Sequence, residues 1–383
     1  MKKILIVHTR YQNVGGEDIA VENEVKFLSK FFEVDTLYFQ NDNEINFKQF
    51  MYFIKNSNLD SVNELEHKIT NFQPDVVYIH NTWFKGSLGL FKLLESKNIK
   101  TVLKLHNFRY LCTKSIFSYK HLDGELVCKS CGFTKRRFKI FNNYFKESFL
   151  KSILVIIYGK KYFKILKSSQ LSLIVLTEFH KNRLQKLDGI KSNIFVQPNP
   201  LNFELNVISE EKNNSILYAG RISSEKGVDS LIESFINVNL ENIKLNILGD
   251  GPQLNELKVK YEKFEKIKFL QTLPNNKALE LIGKSIAVVT ATKLYEGQPT
   301  LLCEASSLGV PSIFPKTGGI EEFFPINYKL SYEQFDYKNL EEKLKLLLNL
   351  SELKTIGSEN KEYIRSYLDE KKLLDSFNMI ING

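Results

Sequence analysis

Short apolar runs alternate with longer amphipathic stretches along almost the whole chain of 383 residues. The runs are rich in Ile, Val, Leu and Phe, which predicts buried β-strands, whereas the stretches between them repeat their apolar residues at helical spacing. Strands that alternate with helices favour parallel sheets with crossover helices. The predicted strands are 3–8, 34–39, 75–80, 101–106, 171–177, 215–220, 243–249, 267–271, 285–290 and 311–315.

A polar stretch separates these strands into two groups. Residues 201–214 (LNFELNVISEEKNN) show no clear apolar periodicity, which is typical of an interdomain linker. We therefore predict an α/β chain with two Rossmann-like, doubly wound domains that face each other across a cleft. The amino-terminal domain is predicted over residues 1–200 and the carboxy-terminal domain over 201–360. A last helix, at about 361–383, is predicted to pack back on the amino-terminal domain.

Basic residues are concentrated in one aromatic-rich stretch. The formal net charge is +9, and residues 133–167 interleave Lys and Arg with Phe, Tyr, Ile and Leu, with Glu147 as the only acid. Basic amphipathic helices bind anionic membrane interfaces, so we predict such a surface as a partner of residues 133–167. The alternative is a core-facing helix with a basic outer face. No recognised nucleic-acid-binding motif accompanies the charge, so no nucleic-acid partner is predicted.

The amino terminus does not resemble an export signal. MKKILIVHTR has too short an apolar core for a signal peptide, and no apolar run approaches the ~20 residues that span a bilayer. We therefore expect a cytoplasmic protein with reduced thiols, associated peripherally with the inner face of the plasma membrane.

A cluster of thiols leaves two interpretations open. Cys112, Cys128 and Cys131, with His121 between them, have the composition of a structural zinc site. The alternative is three ordinary thiols, because a second Cys-x2-Cys pair is missing.

One stretch has the form of an anion-binding loop. Residues 294–311 (LYEGQPTLLCEASSLGVP) follow a predicted strand, begin as a loop containing Gly297 and Pro299, and continue at helical spacing. Glu296 lies at the mouth of the loop and Glu304 eight positions later, inside the predicted helix. A strand, a glycine-containing loop and a helix together present backbone N–H groups and a helix N-terminus to an anionic ligand.

Other candidate residues also follow predicted strands. Arg221 and Lys226 lie between the strand 215–220 and a helix, which is the arrangement of a pyrophosphate clamp, the alternative being a solvated basic loop. Gly15 and Gly16 follow the first strand but form no complete G-x-G-x-x-G fingerprint, which disfavours a dehydrogenase. His106 ends the strand 101–106, where a ligand-contacting role is favoured over a structural one.

These motifs resemble those of retaining glycosyltransferases of family 4. The resemblance rests on the glycine pair, the strand-end histidine, Pro198-Asn199-Pro200, the Gly-Arg…Lys-Gly loop and the Glu-x7-Glu region, which occur in family order and cover nearly the whole chain. It implies a GT-B fold. It also implies transfer of a hexose-type sugar from a nucleotide-diphosphate sugar to a saccharide acceptor, in bacterial cell-surface polysaccharide synthesis. The predicted membrane docking of residues 133–167 indicates that this acceptor is lipid-linked.

The resemblance assigns the nucleotide contacts. Arg221, Lys226 and the amides of Gly15 and Gly16 would hold the diphosphate, and Glu304 would accept hydrogen bonds from the ribose hydroxyls. No metal or other cofactor is expected, because the two cations supply the charge that stabilises the leaving nucleoside diphosphate. The chain also contains no Asp-x-Asp motif.

The resemblance also assigns the contacts to the transferred sugar. Glu296 and His106 are the catalytic candidates, with Glu296 beside the sugar and His106 on the opposite wall. Gly297, Pro299 and Thr300 would supply further loop contacts.

Two other functions remain open at this point: a nucleotide-sugar epimerase on the same fold, and a non-catalytic GT-B partner subunit. A glycan phosphorylase is disfavoured by the chain length and by the lack of a pyridoxal-phosphate lysine motif. Loss of Glu296, Arg221 or Lys226 would have supported the non-catalytic subunit, but all three are present.

Overall fold

The computed structural model describes residues 1–10, 15–41, 51–52, 54–108, 149–187, 189–201 and 212–383. It divides the chain into two compact units. The first unit comprises Met1–Pro200 and Glu370–Gly383, and the second comprises Leu201–Asp369.

The first unit contains a six-stranded parallel sheet in the order β2-β1-β3-β4-β5-β6. Its strands are β1 (Lys3–Arg10), β2 (Glu33–Gln40), β3 (Val76–Asn81), β4 (Lys100–Leu105), β5 (Leu171–Val175) and β6 (Asn193–Val196). Within the described residues, its helices up to residue 200 include α1 (Gly16–Leu28), α2 (Leu59–Phe72), α3 (Gly89–Ser96), α4 (Phe149–Ile165) and α5 (Glu178–Gln185).

The second unit contains another six-stranded parallel sheet, in the order β12-β11-β10-β7-β8-β9. Its strands are β7 (Ser215–Ala219), β8 (Lys244–Leu248), β9 (Ile267–Leu270), β10 (Ala287–Val289), β11 (Ser312–Lys316) and β12 (Ser331–Glu333). Its helices are α6 (Val228–Val238), α7 (Leu254–Lys260), α8 (Asn275–Lys284), α9 (Thr300–Ser307), α10 (Tyr337–Lys345) and α11 (Leu350–Tyr367).

Central strands are apolar at nearly every position because both faces of each sheet are covered. In β7, Ile216 and Tyr218 belong to one buried cluster, which includes Leu231 of α6. The intervening Leu217 belongs to another, which includes Leu302 of α9. Successive side chains of a strand point to opposite faces, so the alternation shows that helices pack on both sides.

The predicted α/β class with two Rossmann-like domains is confirmed, and each predicted strand is present. The strands β6 and β12 were missed. They are only four and three residues long. The β12 sequence, Ser-Tyr-Glu, contains a single apolar residue, and β6 stands shortly before Pro198 and Pro200, which favour a loop.

The chain end differs from the predicted single helix at about 361–383. The helix α11 ends at Tyr367, and a separate helix, α12 (Glu370–Asn382), follows. The chain passes from the second unit to the first between Asp369 and Glu370, so the predicted boundary at residue 360 lies inside α11. No Gly or Pro marks this break, and Asp369, a residue type common at helix N-caps, is the sequence signal directly before α12.

The helix α12 packs on the sheet of the first unit. The Phe377 ring lies 5.3 Å from the Tyr78 ring of β3 and 5.8 Å from Phe32, measured between centroids. Gln197 Nε2 donates to the carbonyl of Leu373 at 3.4 Å. The last helix is therefore part of the first core.

The basic stretch is described only from Phe149 onward. In α4, Tyr158 and Tyr162 are buried and pack against Trp83, with ring centroids 4.5 and 5.6 Å apart. Lys160, Lys161 and Lys164 are exposed. For these side chains the structure agrees with the core-facing alternative.

Two sequence hypotheses concern segments outside the described residues. These segments are residues 133–148 of the basic stretch, and the thiols Cys112, Cys128 and Cys131 with His121. Among the helices that are described, none combines the length and the apolar composition needed to cross a bilayer.

A buried ion pair links α1 to the central strands of the first sheet. Lys104 Nζ of β4 lies 3.0 and 2.9 Å from the two carboxylate oxygens of Glu24 in α1. The Tyr78 hydroxyl donates to Glu24 Oε1 at 2.7 Å. The Lys104 and Glu24 side chains are 0% and 1% exposed. Burial lowers the pKa of Lys104, and the Glu24 carboxylate opposes that shift.

We expect Lys104→Met to destabilise the first unit by about 3–5 kcal/mol, because Glu24 would remain as a buried carboxylate without its cation. The double variant Glu24→Gln/Lys104→Met should recover most of this loss, since a neutral amide still accepts from Tyr78. Urea unfolding can be followed by the fluorescence of Trp83, the single tryptophan of the chain, which lies in the first unit. Equal destabilisation of the single and double variants would contradict this account.

Candidate functional site

The candidate site in the second unit lies where the order of its strands reverses. The chain runs outward from β7 to β8 and β9, then returns to β10 on the other side of β7. Loops at the carboxyl ends of two such strands leave a crevice between them, where α/β sheets bind ligands. The segment with Arg221 and Lys226 follows β7, and the segment with Glu296 follows β10.

Two predicted site residues from these loops are in direct contact. Lys226 Nζ lies 2.6 Å from Glu296 Oε1. Thr292 Oγ1 donates to the same carboxylate oxygen at 2.9 Å. The Lys226 and Glu296 side chains are 31% and 26% exposed, so a ligand can reach the pair.

Two glycines allow the backbone to approach closely around this contact. Gly227 has φ of 69°, and a Cβ placed on it would lie 2.1 Å from the carbonyl oxygen of Ala291. Gly318 has φ of 62°, and a Cβ there would lie 2.1 Å from the carbonyl oxygen of Glu296. That carbonyl also accepts from the N–H of Gly319 at 2.9 Å. The β7 and β10 loops are thus fixed by backbone packing as well as by the ion pair.

Arg221 lies on a loop that is held from two sides. Its carbonyl accepts from the buried Tyr218 hydroxyl at 2.8 Å. The next residue, Ile222, donates its N–H to the carbonyl of Asp250 at 2.8 Å. Arg221 is exposed and, within the described residues, forms no ion pair. A fixed backbone with a free guanidinium is well suited to binding an anion.

Glu304 lies in α9, which the loop Gly297 to Pro299 connects to Glu296. Burial raises the pKa of the Glu304 carboxyl to about 7. No described residue donates a hydrogen bond to it. Its carboxyl oxygens are therefore available for hydrogen bonds with a ligand. Pro299 and Thr300, at the start of α9, are half-buried.

The predicted residues of the first unit follow β1 and β4. The N–H of Gly15 donates to Asp18 Oδ2 at 2.8 Å as α1 begins, so this amide is already used within the protein. Gly16 is exposed, and a Cβ there would meet nothing within 4 Å. The fold itself therefore does not require glycine at position 16, and open space lies in front of it.

His106 has a neighbour that sequence reasoning missed. Its Nε2 lies 2.8 Å from Nδ1 of His80, and the two rings are stacked with centroids 5.1 Å apart. Nε2 of His8 lies 2.8 Å from Asp18 Oδ1. The sequence contained a sign of these neighbouring histidines, because the predicted strands 3–8, 75–80 and 101–106 each end in histidine.

Residues 204–363 match the family model described as glycosyl transferases group 1. The matched segment falls within the second unit and contains Arg221, Lys226, Glu296 and Glu304.

The amylovoran biosynthesis glycosyltransferase AmsD of Erwinia amylovora is 30% identical over 169 residues, which are 42% of this chain and 48% of that protein. The chain thus matches about half the length of this curated relative.

Solved structures resemble the whole chain at low sequence identity. Sucrose-phosphate synthase from Thermosynechococcus elongatus has a TM-score of 0.72 at 14% identity, covering 100% of this chain and 98% of the other. Alr3699/HepE from Anabaena, in complex with UDP and glucose, has a TM-score of 0.68 at 14% identity, covering 100% of both chains. These likenesses show the predicted fold, with two Rossmann-like domains of the GT-B type.

The half-buried carboxyl of Glu304 leads to a pH-dependent prediction. The Glu304 pKa is about 7 in the folded protein, against an ordinary glutamate value of 4.5. The folded state therefore binds this proton more tightly, and stability should fall as pH rises through this range. The loss is up to about 3 kcal/mol. Glu304→Gln should abolish this loss.

Urea unfolding of the parent and Glu304→Gln at pH 4.5, 6 and 8 measures the effect. The stability of the variant relative to the parent should increase with pH. Glu262→Gln, which changes an exposed carboxylate of the same unit, is the matched control. A constant difference between Glu304→Gln and the parent at all three pH values would show that Glu304 is not the group responsible.

Proposed function

We propose that the chain is a retaining glycosyltransferase of family 4. It transfers a hexose-type sugar from a nucleotide-diphosphate sugar to a saccharide acceptor. The observation that carries this proposal is the accessible contact between Lys226 and Glu296 beside the unpaired Arg221, at the strand reversal of the segment that matches the glycosyl transferases group 1 model.

The two cations stabilise the leaving nucleoside diphosphate. Arg221 and Lys226 hold the diphosphate through charge-assisted hydrogen bonds. As the bond between the sugar and the diphosphate breaks, negative charge develops on the leaving nucleoside diphosphate. Positive groups that are already fixed in place stabilise this charge without reorganisation. In this proposal the two side chains do the work for which other enzymes use a metal ion, so no metal cofactor is required.

Glu296 competes with the diphosphate for Lys226 when the sugar donor binds. In the ligand-free protein Lys226 Nζ lies 2.6 Å from Glu296 Oε1, so this carboxylate engages part of the ammonium that the diphosphate would contact. A diphosphate carries more negative charge than a carboxylate and competes for Lys226. Glu296 is then free to accept hydrogen bonds from the transferred sugar.

The other predicted residues complete the binding of the sugar donor. Glu304 accepts hydrogen bonds from the ribose hydroxyls, and its unpaired carboxylate supports this role. Gly297, Pro299 and Thr300 provide loop contacts next to Glu296. In the first unit, Gly16 provides open space for the close approach of a ligand.

The acceptor is proposed to be a lipid-linked saccharide in cell-surface polysaccharide synthesis. The relative from Erwinia amylovora carries amylovoran biosynthesis in its name, which supports this setting. The protein would act in the cytoplasm at the inner face of the plasma membrane. The exposed Lys160, Lys161 and Lys164 supply positive charge for an anionic surface. The buried Tyr158 and Tyr162 imply that this contact is electrostatic.

Sugar transfer tests the role of Glu296. The protein is incubated with UDP-, GDP- and ADP-sugars and saccharide acceptors, and release of nucleoside diphosphate is measured. We expect release that depends on the acceptor, and a loss of about 100-fold or more in Glu296→Gln. The same variant should bind the free nucleoside diphosphate about fivefold more tightly, since a competing ion pair worth up to about 1 kcal/mol is removed.

Glu262→Gln, which removes an exposed negative charge of the second unit, is the control and should transfer sugar like the parent. Transfer that survives in Glu296→Gln would contradict the assigned role. Turnover of a nucleotide sugar without any acceptor would instead indicate the epimerase.

A further inference from the structure

Three histidines lie in a row at the carboxyl ends of adjacent strands of the first unit. His8 is in β1, His80 is in β3, and His106 directly follows β4. The His8 and His80 rings lie 6.4 Å apart edge to face, and the His80 and His106 rings are stacked. His8 and His80 are buried at 0% and 3% exposure, whereas His106 is half-buried. The row therefore leads from the core to an accessible imidazole.

The contact between His80 and His106 contains a single shared proton. Burial first, and then neighbouring positive groups including Lys104, lower the pKa of both rings well below the usual histidine value. Both imidazoles are therefore neutral near pH 7, and each carries one N–H. In the 2.8 Å contact between His80 Nδ1 and His106 Nε2, one nitrogen donates and the other accepts.

The other nitrogen of the His80 ring decides which of the two histidines donates the hydrogen bond. This nitrogen, Nε2, is buried and has no hydrogen-bond partner in the described part of the chain. If His106 donated to His80, the proton of His80 would lie on this Nε2 as a buried N–H with no acceptor, which is rare in folded proteins. If His80 donates instead, only a lone pair is buried there. The second arrangement is the one we assign.

This assignment fixes the chemistry of the accessible ring. With Nε2 accepting from His80, His106 must carry its own proton on Nδ1. No described residue is hydrogen-bonded to that nitrogen. The only lone pair of His106 is already engaged, so the ring has no free site at which to take a proton.

We propose that His80 is a positioning residue that holds His106 in the Nδ1–H form, so that His106 serves as a neutral hydrogen-bond donor to a ligand oxygen and not as a base. The part that concerns the ligand rests on the proposed function and identifies the oxygen as one of the nucleotide-sugar donor. A neutral N–H is suited to a sugar hydroxyl, and it adds no positive charge to that provided by Arg221 and Lys226. The assignment of the proton itself does not depend on any substrate.

Nitrogen-15 NMR of the histidine side chains tests the assignment directly. The chain has six histidines, and the His106 signals are identified by their loss in His106→Phe. In the parent protein at pH 7 we expect a proton on Nδ1 of His106. A parent His106 with its proton on Nε2 would overturn the proposal, and this result requires no variant of His80.

Two substitutions at His80 then separate positioning from packing. His80→Phe keeps an aromatic ring but removes the N–H, so His106 should shift partly or wholly to the Nε2–H form. Sugar transfer should fall about tenfold in kcat/KM, with an unchanged melting temperature. His80→Asn can place an amide N–H near the original Nδ1 and should restore both the Nδ1–H form and most of the activity. An unchanged His106 tautomer in His80→Phe would overturn the role of His80.

The NMR result also distinguishes this inference from the proposed function. If His106 shows the expected proton and loses it in His80→Phe while the parent transfers no sugar, the proposed function fails and the His80 assignment stands. If sugar transfer occurs but His106 carries its proton on Nε2, the proposed function stands and the His80 assignment fails.

Discussion

The close approach of two loops at the carboxyl ends of β7 and β10 is the constraint on which the site of the second unit depends. Parallel strands bring their ends to one edge of the sheet, but they do not by themselves bring the side chains into contact. The contact is achieved because Gly227 and Gly318 let neighbouring backbone come closer than any side chain would allow. The result places the Lys226 ammonium 2.6 Å from the Glu296 carboxylate. The charges that would meet a diphosphate and a sugar are therefore already in place in the ligand-free protein.

The first unit holds polar groups at the centre of an apolar sheet. Lys104 and Glu24 neutralise each other, and the Tyr78 hydroxyl satisfies one of the carboxylate oxygens. Burial lowers the pKa of His80 and His106, and the positive charge of Lys104 adds to this shift. A buried pair of this kind contributes little net stability by itself, but it becomes costly when one partner is lost.

Most of the architecture could be predicted from the sequence because central strands covered on both faces give continuous apolar runs. The strands β6 and β12 were missed because they are short, one with a single apolar residue and the other shortly before two prolines. The break at Leu368 and Asp369 was missed because neither glycine nor proline marks it. Glu296 and Lys226 could each be recognised from their own loops. Their contact could not be predicted, because it joins residues 70 positions apart in the sequence. It also depends on close backbone packing at Gly227 and Gly318, which only the fold shows. His80 ends a predicted strand as His106 does, and only the fold shows that the two rings touch.

Binding of nucleoside diphosphates tests the central claim of this account most directly. UDP, GDP and ADP are titrated by calorimetry into the parent protein, Arg221→Ala, Lys226→Ala and Lys354→Ala, the last removing an exposed charge elsewhere in the second unit. We expect the parent to bind at least one of the three. Loss of a charge-assisted hydrogen bond worth about 1.5–3 kcal/mol should weaken that binding by about 10- to 100-fold in Arg221→Ala and in Lys226→Ala. Lys354→Ala should bind like the parent. If no nucleoside diphosphate binds, or if the Arg221 and Lys226 variants bind as tightly as the parent, the β7–β10 crevice is not the nucleotide-sugar site.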